Sequence, residues 1–340
     1  MESSAAKQQP KAGDTMITAE QTYLRTELEQ RRDRLHSALH SPSGDAFLSQ
    51  LLTAVDAALD RMEHGTFGIC ETCHDTIEPD RLLADPLVQF CLDHLTRDEQ
   101  RALESDLSLA AQIQRRLLPE PGLAPTGWQV RYHYQPAGMV SGDYCDLLET
   151  DDGLLFMLGD VSGKGVAASM LMSHLHATFR SLTEAGLPLD RMVEHANRIF
   201  CESTIAGQFA TLVVGRARQD GSVEFVSAGH LPLLHIHGGG ATSKGSTGVP
   251  LGMFCTTRFP LHRLTLAGGE SLFLYTDGLT EARNQAGEEF GIARAESLAS
   301  SNNTADPRAL ISECLSKLSD FGKGVKQTDD LTLLALRRTA

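Results

Sequence analysis

Apolar runs of this sequence meet aspartates at three separate places. Residues 154–158 lead to Asp160, residues 273–275 lead to Asp277, and residues 331–336 follow Asp329 and Asp330. Each run predicts a buried strand with a turn beside it, because the neighbouring glycines and aspartates favour turns. We expect these strand ends to converge and to hold divalent metal ions through the carboxylates.

A fifth aspartate, Asp143, lies in the turn-like segment 141–146. Carboxylate oxygens select hard octahedral ions, so the predicted ions are Mn²⁺ or Mg²⁺. Several carboxylates indicate more than one ion, because a single Mg²⁺ keeps most of its waters. Two ions about 3.5–4 Å apart activate a water and hold a phosphoryl oxygen. The aspartates therefore predict hydrolysis of a phosphate ester by in-line attack.

The segment after Asp160 is rich in glycine but is not a P-loop, because the pattern G-x-x-x-x-G-K-[ST] is absent. The glycines on both sides of Lys164 let the backbone approach ions or substrate closely. Lys164 itself either screens a substrate phosphate or is a solvated loop lysine. We expect His174 and His176 to be core or helix-surface residues, and His230 to stabilise a turn.

Four residues between positions 70 and 94 have the spacing of a zinc site. Cys70 and Cys73 form a C-x2-C pair, and Cys91 and His94 form a C-x2-H pair after seventeen intervening residues. Two turns that each present a pair of ligands suit tetrahedral Zn²⁺, and a closed set of four protein ligands indicates a structural role. His74 competes with His94 as the fourth ligand; otherwise His74 is an exposed loop histidine.

The composition favours a globular, cytoplasmic protein. The 340 residues are 41% hydrophobic and carry a net charge of −14. This charge argues against nucleic-acid binding, which needs clustered Lys and Arg, and no apolar run reaches the roughly 20 residues of a membrane span. Without a signal-peptide pattern, we expect mostly reduced cysteines, with Cys145, Cys201, Cys255 and Cys314 as small core residues.

Apolar residues at helical spacing predict an N-terminal helical hairpin and a third helix over 95–118. The stripes are Leu24, Leu28, Leu35 and Leu39 in the first helix, Phe47, Leu51, Val55, Leu59 and Met62 in the second, and Leu103, Leu107, Ala110, Ile113 and Leu117 in the third. The narrow third stripe suits a coiled-coil seam, so we expect a parallel homodimer through this helix. The alternative is a single helix lying on the catalytic domain.

Beyond Pro125, strand-like runs dominate. Strands are predicted over 128–134, 154–161, 209–216, 222–227, 233–237, 263–266, 271–276 and 331–336, and helices over 166–183, 189–203 and 307–318. Short turns between successive strands favour antiparallel sheets, so the fold class is α+β, with sheets covered by helices. The predicted domains are a disordered tail (1–16), a helical hairpin with a zinc finger (17–94), a linker helix (95–119) and a catalytic domain (120–340).

The segment 59–94 resembles the DksA/TraR-type zinc finger. The resemblance rests on residues 58–70, 77–82 and 84–86 and on the pair that begins at Cys91. His94 stands where that family usually has its last cysteine. Members of the family reach into RNA polymerase with an acidic coiled-coil tip. Because the hairpin here is short and its tip (41–45) reads Ser-Pro-Ser-Gly-Asp, we expect a sensory or docking module instead.

From about residue 104 to residue 338 the sequence resembles the SpoIIE/RsbU-type serine/threonine phosphatases, a bacterial branch of the metal-dependent protein phosphatase 2C (PPM) superfamily. The matching motifs follow in order at 113–119, 140–146, 159–165, 228–230, 250–252, 275–282 and 329–333. The resemblance implies a PPM phosphatase-like fold, which is a two-sheet antiparallel β-sandwich flanked by helices.

The resemblance also implies roles for single residues. Asp143 and Asp160 ligate two metal ions with the backbone carbonyl of Val161, Asp277 and Asp329 complete one metal each or bridge through water, and Asp330 either ligates or supports the ligands. The family acts on phosphoserine or phosphothreonine in small STAS-type anti-sigma factor antagonists, in bacterial signalling and stress responses. A phosphoprotein substrate is therefore expected here.

Three functions remain open at this point. The first is a metal-dependent protein phosphatase regulated by its zinc module. The second is a DksA-like transcription regulator with an inactive phosphatase half, and the third is a small-molecule phosphatase. The intact aspartates argue against the second function, because a binding scaffold has no need to keep repelling carboxylates together.

Overall fold

A computed structural model describes residues 12–39, 46–95, 97–120, 122–205, 207–245, 248–301 and 306–339. The chain forms two compact units, one up to Glu104 and one from Ser105 onward. Positions 1–11 of the predicted tail lie outside the described residues, and a helix already begins at Ala12. The predicted hairpin tip, 41–45, also lies outside the described residues.

The first unit packs helix α1 (Ala12–Leu39) against helix α2 (Ala46–Glu63). The predicted stripes supply its core, and the loop beyond α2 adds Phe67 and Ile77. The side chains of Leu39 and Phe47 lie outside the described residues. A short helix, α3 (Pro79–Ala84), and a 3-10 turn (Leu92–His94) complete the unit. The buried members of the stripes are Leu24, Leu28, Leu35, Val55 and Leu59.

Helix α4 (Arg97–Leu117) runs from the first unit into the second, so the predicted linker over 95–119 is divided between them. The apolar stripe predicted for this helix is buried only in part. Leu117 packs on the core of the second unit, whereas Leu103 and Ile113 are exposed. Gln114 is buried and exchanges two hydrogen bonds with the backbone of Ser141.

The second unit contains two five-stranded antiparallel sheets. The first has the order β1-β10-β9-β6-β7 and the second the order β2-β3-β4-β5-β8. The strands are β1 (Trp128–Gln135), β2 (Tyr144–Thr150), β3 (Gly153–Val161), β4 (Ala210–Arg218), β5 (Ser222–Ala228), β6 (Leu233–His237), β7 (Gly240–Lys244), β8 (His262–Thr265), β9 (Ser271–Tyr275) and β10 (Leu331–Arg338). The helices are α5 (Gly165–Glu184), α6 (Leu189–Ser203), α7 (Asp277–Thr280), α8 (Gly291–Ser301) and α9 (Pro307–Phe321).

Three apolar layers hold these elements together. Trp128, Phe156 and Leu274 belong to the layer between the two sheets. A second layer joins α5 and α6 to the β2-β3-β4-β5 face, and a third joins α8 and α9 to the β6-β9-β10 face. The predicted two-sheet antiparallel sandwich flanked by helices is therefore confirmed. Within the described residues, no helix combines the length and the apolarity that crossing a membrane demands.

Three elements of the second unit were not predicted from sequence. The sequence predicts a turn over 141–146, but strand β2 begins within this segment, at Tyr144. The strand was missed because its first residues are all buried and so lack the polar alternation of a half-exposed strand. β7 is a polar hairpin partner of β6, and two of the three buried residues of α8 are alanines. Local sequence pattern does not reveal such elements, because packing partners determine them.

The expectation that the four scattered cysteines are separate core residues is wrong for two of them. Cys201 and Cys255 form a disulfide, with Cα atoms 5.7 Å apart. Cys201 lies in α6 and Cys255 in the loop after Leu251, and sequence spacing alone cannot reveal such a pairing. Cys145 and Cys314 are free and buried, as expected.

Candidate metal centre and zinc site

Antiparallel pairing brings the predicted carboxylates to neighbouring strand ends. Asp143 immediately precedes β2, which pairs with the end of β3 that carries Asp160. Asp277 follows the end of β9, which pairs with the start of β10, and that start follows Asp329 and Asp330. Each sheet therefore supplies part of one acidic group, since antiparallel neighbours place one strand's end beside the other's start.

Asp143 is the most deeply buried member of this group, with 1% of its surface exposed. Its Oδ2 atom accepts hydrogen bonds from the hydroxyls of Thr276, at 3.0 Å, and Thr332. Within the described part of the chain its Oδ1 atom has no hydrogen-bond partner. Burial, followed by the charge of Asp160, raises the pKa of Asp143 well above its usual value. A buried carboxylate oxygen without a partner is costly unless a cation balances it.

Two further aspartates are partly buried beside other carboxylates, and their pKa values are raised for the same reason. Burial, then the charges of Asp277 and Asp329, raises the pKa of Asp160 to about 8. Burial, then the charges of Asp329 and Glu281, raises the pKa of Asp277 to about 6. Asp160, Asp277 and Glu281 line one cavity of about 250 Å³. Divalent cations in this region would relieve the repulsion between the carboxylates.

Glu281 joins the acidic group although the sequence analysis did not single it out as a ligand. One oxygen each from Asp277, Glu281 and Asp329 can be chosen so that all three lie within 4.8 Å of one another. Glu281 follows Asp277 by four residues, at the end of α7. That helical spacing puts two side chains on the same face and was the available signal.

Asp330 occupies a different position from the other aspartates. Its Oδ1 atom accepts a hydrogen bond from the backbone N–H of Ala137 at 2.7 Å, and its Oδ2 atom accepts one from Gly142 at 2.9 Å. Both carboxylate oxygens therefore hold the loop that leads to Asp143. Of the two roles left open for Asp330, the contacts favour support of the ligands.

Replacing Asp330 with Asn is expected to destabilise the metal-free second unit by about 1–3 kcal/mol, because an amide leaves one of the two N–H groups without an acceptor. Guanidinium unfolding followed by the fluorescence of Trp128, the sole tryptophan of the chain, measures this. Asp329→Asn is the matched control and should cost less, since the Asp329 side chain is partly exposed and accepts from one backbone N–H. Equal losses would contradict the supporting role of Asp330.

Two glycines permit the close approach of these segments. A Cβ atom on Gly142 would lie 3.0 Å from the carbonyl oxygen of Val161 and 3.3 Å from Oδ1 of Asp160. A Cβ atom on Gly278 would lie 1.9 Å from the carbonyl oxygen of Asp330, which real contacts do not allow. The predicted main-chain ligand, the Val161 carbonyl, is thus close to Asp160 and to the Asp143 loop.

The donor set fits hard divalent ions. It consists of carboxylate oxygens with one nearby carbonyl, and it includes the buried Oδ1 atom of Asp143, which has no hydrogen-bond partner in the part of the chain that the structure describes. Oxygen ligands of this type suit Mg²⁺ and Mn²⁺. Sequence reasoning missed Thr276 and Thr332, which donate to Asp143 from the residue after β9 and from β10. Thr276 directly precedes Asp277, but no sequence rule identifies either threonine as a donor to Asp143.

We expect the metal-free second unit to lose stability between about pH 5 and about pH 8. A carboxyl group whose pKa is raised in the folded state binds more protons folded than unfolded in this range, so rising pH favours unfolding by at most about 1.4 kcal/mol per pH unit for each group. Asp160, with a folded pKa of about 8, contributes across the range, and Asp277, at about 6, in its lower part.

The test compares wild type with Asp160→Asn by guanidinium unfolding in a metal chelator, with Trp128 fluorescence as the signal. The unfolding free energy of the variant should fall less steeply with pH, because only Asp143 and Asp277 still contribute raised pKa values to its pH dependence. Identical slopes for the two proteins would show that Asp160 titrates normally.

In the first unit, Cys70, Cys73, Cys91 and His94 lie together, with one ligand atom of each within 4.8 Å of the others. The Cys73 and Cys91 sulfurs are 3.7 Å apart, and the Cys91 sulfur is 3.3 Å from Nδ1 of His94. Distances near 3.7 Å are those between ligands around tetrahedral zinc with Zn–S bonds of about 2.3 Å. His74, the competing ligand, is exposed and does not belong to this group.

The three histidines of the second unit that the sequence analysis considered lie in apolar or paired surroundings. The ring of His174 lies beside Phe200, and Nε2 of His176 lies 3.6 Å from Asp146. His230 is buried, and its Nδ1 atom lies 2.9 Å from the hydroxyl of Thr211. Burial lowers the pKa of His230 to about 4, so the ring is neutral at pH 7. It lines the same 250 Å³ cavity as Asp160.

Comparisons with known proteins agree with both parts of this description. The sequence profile of the Stage II sporulation protein E (SpoIIE) family matches residues 150–339, and that of the prokaryotic dksA/traR C4-type zinc finger matches residues 65–93. The second match ends one residue before His94.

Two curated relatives and one solved structure extend this result. Protein IcfG of Synechocystis sp. is 29% identical over 263 residues, which are 68% of this chain and 41% of IcfG. Phosphoserine phosphatase RsbU of Bacillus subtilis is 26% identical over 257 residues, which are 72% of this chain and 74% of RsbU. The SiaA-PP2C domain of Pseudomonas aeruginosa superimposes with a TM-score of 0.64 at 20% identity, over 72% of this chain and 99% of that domain. The chain thus spans less than half of IcfG and shares the fold of a PP2C domain.

Proposed function

The chain belongs to the SpoIIE family, and we propose that it is a metal-dependent phosphatase that hydrolyses phosphoserine or phosphothreonine in a regulatory protein. The observation that carries the proposal is the buried carboxylate of Asp143, whose Oδ1 atom has no hydrogen-bond partner among the described residues and lies beside other repelling aspartates. Such a group is costly in a protein that binds no cation there. The name of RsbU, a phosphoserine phosphatase, supports the same reaction.

Two bound Mn²⁺ or Mg²⁺ ions would polarise the phosphoryl group and lower the pKa of an attacking water. Asp143, Asp160, Asp277 and Asp329, with the Val161 carbonyl, are the residues that would hold them. Thr276 and Thr332 fix one oxygen of Asp143 and leave the other available. Asp330 holds the 137–142 loop in place, and Glu281 adds a further carboxylate beside Asp277.

The test is phosphate release from a phosphoserine peptide by protein that has been stripped of metal and then supplied with Mn²⁺, Mg²⁺ or Zn²⁺. Zinc in the first unit is retained by using a chelator that is weak toward thiolate sites. We expect Mn²⁺ or Mg²⁺ to restore hydrolysis and the Asp277→Asn variant to remain inactive with either ion. Hydrolysis by stripped protein, or equal hydrolysis by the variant, would contradict the proposal.

The proposed substrate is a small phosphoprotein of the STAS-type anti-sigma factor antagonist class. The resemblance to RsbU supports this class, and a free phosphate ester is the contrasting substrate. A protein phosphatase should hydrolyse a phosphoserine peptide with a higher kcat/KM than it hydrolyses a free phosphate ester. The opposite order would favour a small-molecule phosphatase.

We further propose a parallel homodimer through α4. Leu103, Leu109 and Ile113 remain exposed on this helix at 46%, 56% and 55% of their surfaces. Leu103 and Ile113 belong to the predicted stripe and are ten residues apart, which is one heptad plus three, so they suit a coiled-coil seam; Leu109 lies outside that stripe. Analytical ultracentrifugation at micromolar concentration should show a dimer, and a monomer would contradict it.

For the first unit we propose a zinc-stabilised sensory or docking role. The dksA/traR-type match covers residues 65–93 alone, whereas the SpoIIE match covers residues 150–339. A transcription regulator with an inactive phosphatase half is disfavoured, because the carboxylates that repel one another in the second unit are all present.

A further inference from the structure

Lys164 stands at the exposed rim of the candidate metal centre. It lies between Gly163 and Gly165, whose φ angles of 94° and 73° are in the left-handed region, in the turn that joins β3 to α5. Its side chain is 63% exposed. The two glycines thus allow a tight turn that presents one lysine four residues after Asp160.

The lysine ammonium reaches across to the segment that precedes β10. Nζ of Lys164 donates a hydrogen bond to the carbonyl oxygen of Thr328 at 2.9 Å and lies 3.0 Å from Oδ2 of Asp329. Asp329 itself groups with Asp277 and Glu281. A mobile cation on a four-carbon stem is therefore in contact with one of the carboxylates proposed to hold metal.

Two cavities meet at Lys164. One, of about 720 Å³, is also lined by Gly278, Glu281 and Asp329, and the other, of about 470 Å³, by the 137–140 loop. A phosphorylated side chain that approaches Glu281 and Asp329 through the larger cavity passes this ammonium. Arg283, Lys323 and Lys326 line the larger cavity too. The guanidinium of Arg283 is paired with Glu289 at 2.7 Å, and among the described residues the cation that pairs with Asp329 is Lys164.

We propose that Lys164 binds the phosphate group of the substrate and of the product, and that it contacts Asp329 only until a divalent ion does so. This inference rests on the proposed phosphatase function. Phosphate is a dianion near neutral pH, and a flexible ammonium is a common partner for it. Metal and lysine compete for Asp329, whereas metal and phosphate bind together.

The competition between Lys164 and a metal ion for Asp329 predicts opposite effects of removing the lysine on metal binding and on phosphate binding, and a purely structural role does not. Removing the ammonium relieves repulsion of the incoming ion, so Lys164→Ala should bind Mn²⁺ roughly threefold more tightly, in keeping with an exposed ion pair. The same change should weaken phosphate binding by about tenfold or more, as expected for a lost hydrogen bond to a charged group. A lysine that only braces the loop would weaken both kinds of binding when removed.

The experiment is calorimetric titration of Mn²⁺ into metal-stripped full-length protein, followed by titration of inorganic phosphate into the Mn²⁺-loaded protein. The variants are Lys164→Ala and Lys164→Arg, and the control is Lys317→Ala, which removes the same charge from an exposed position on α9. We expect opposite shifts for Lys164→Ala, retained phosphate binding for Lys164→Arg and no shift for Lys317→Ala.

Weaker Mn²⁺ binding by Lys164→Ala, unchanged phosphate binding, or no phosphate binding by the Mn²⁺-loaded wild type would each overturn the inference. Neither titration requires turnover. A protein that hydrolyses no phosphopeptide but shows the opposite shifts would refute the proposed function and leave the phosphate site standing. A protein that hydrolyses phosphopeptide without those shifts would support the proposed function and refute the phosphate site at Lys164.

Discussion

Asp143→Asn protein is expected to lose metal-dependent phosphatase activity by about a thousandfold or more, since several kcal/mol of transition-state stabilisation depend on correctly held ions. The same variant should be more stable than wild type when both are metal-free. Asn removes a buried, repelled charge and keeps an oxygen that accepts from Thr276 and Thr332. Phosphate release and guanidinium unfolding in chelator measure the two effects, and Mn²⁺ should raise the unfolding midpoint of wild type only.

Asp146→Asn is the matched control, because Asp146 is also a buried aspartate and lies three residues further along the chain. Its carboxylate is paired with Arg180 through two contacts of 2.7 Å. Losing this pair should lower stability while the response to Mn²⁺ persists. The contrast fails if Asp143→Asn destabilises the metal-free protein, since Asp143 would then be a structural residue with a satisfied charge.

His94→Asn is expected to abolish zinc binding by the first unit and to open residues 65–95 to proteolysis. Structural zinc contributes on the order of 10–16 kcal/mol to the folding of zinc-finger peptides, and a site with three ligands and one amide loses much of that stabilisation. Zinc content by atomic emission and digestion by trypsin, which can cut after Arg81, provide the measurements.

The same substitution at His74 provides the comparison. His74 has a φ angle of 63°, a left-handed conformation that Asn adopts more readily than most residues, so His74→Asn should keep both its zinc and its fold. Zinc loss in His74→Asn with retention in His94→Asn would reverse the assignment of the fourth ligand.

The strands beside Asp160, Asp277 and Asp329 were predictable because each combines a local signal with burial, whereas β2, which follows Asp143, was not predicted. The strand runs before Asp160 and Asp277 are apolar throughout. Two expectations from the residues, antiparallel sheets covered by helices and a convergence of aspartates at strand ends, agree with the fold, whereas the two-sheet sandwich was implied by the family resemblance. The helix over Leu189–Ser203 was predicted with the bounds it has in the structure, because its apolar stripe is pronounced and a proline precedes it.

Features that depend on distant partners were out of reach. The hydroxyl of Thr332 serves a carboxylate 189 positions earlier, and Cys201 and Cys255 are joined across 54 positions. The sequence left Asp330 open between a metal ligand and a support of the ligands, and its oxygens accept hydrogen bonds from the backbone of Ala137 and Gly142. Such roles depend on which loops the sheets bring together, and the local sequence pattern does not show which loops are adjacent in the fold.

The pairing of β1 with β10 places Trp128 opposite Arg338. Contacts between such distant parts of a chain form slowly, because the conformational entropy of the intervening loop is lost before the favourable contacts have formed. β10 also follows directly on Asp329 and Asp330, so the acidic centre cannot assemble before this late strand has been synthesised and inserted. At a synthesis rate of about 5–20 residues per second, the second unit (105–340) takes roughly 12–47 s to be made and is incomplete for that time. The acidic centre therefore forms only after this last strand has folded into its sheet.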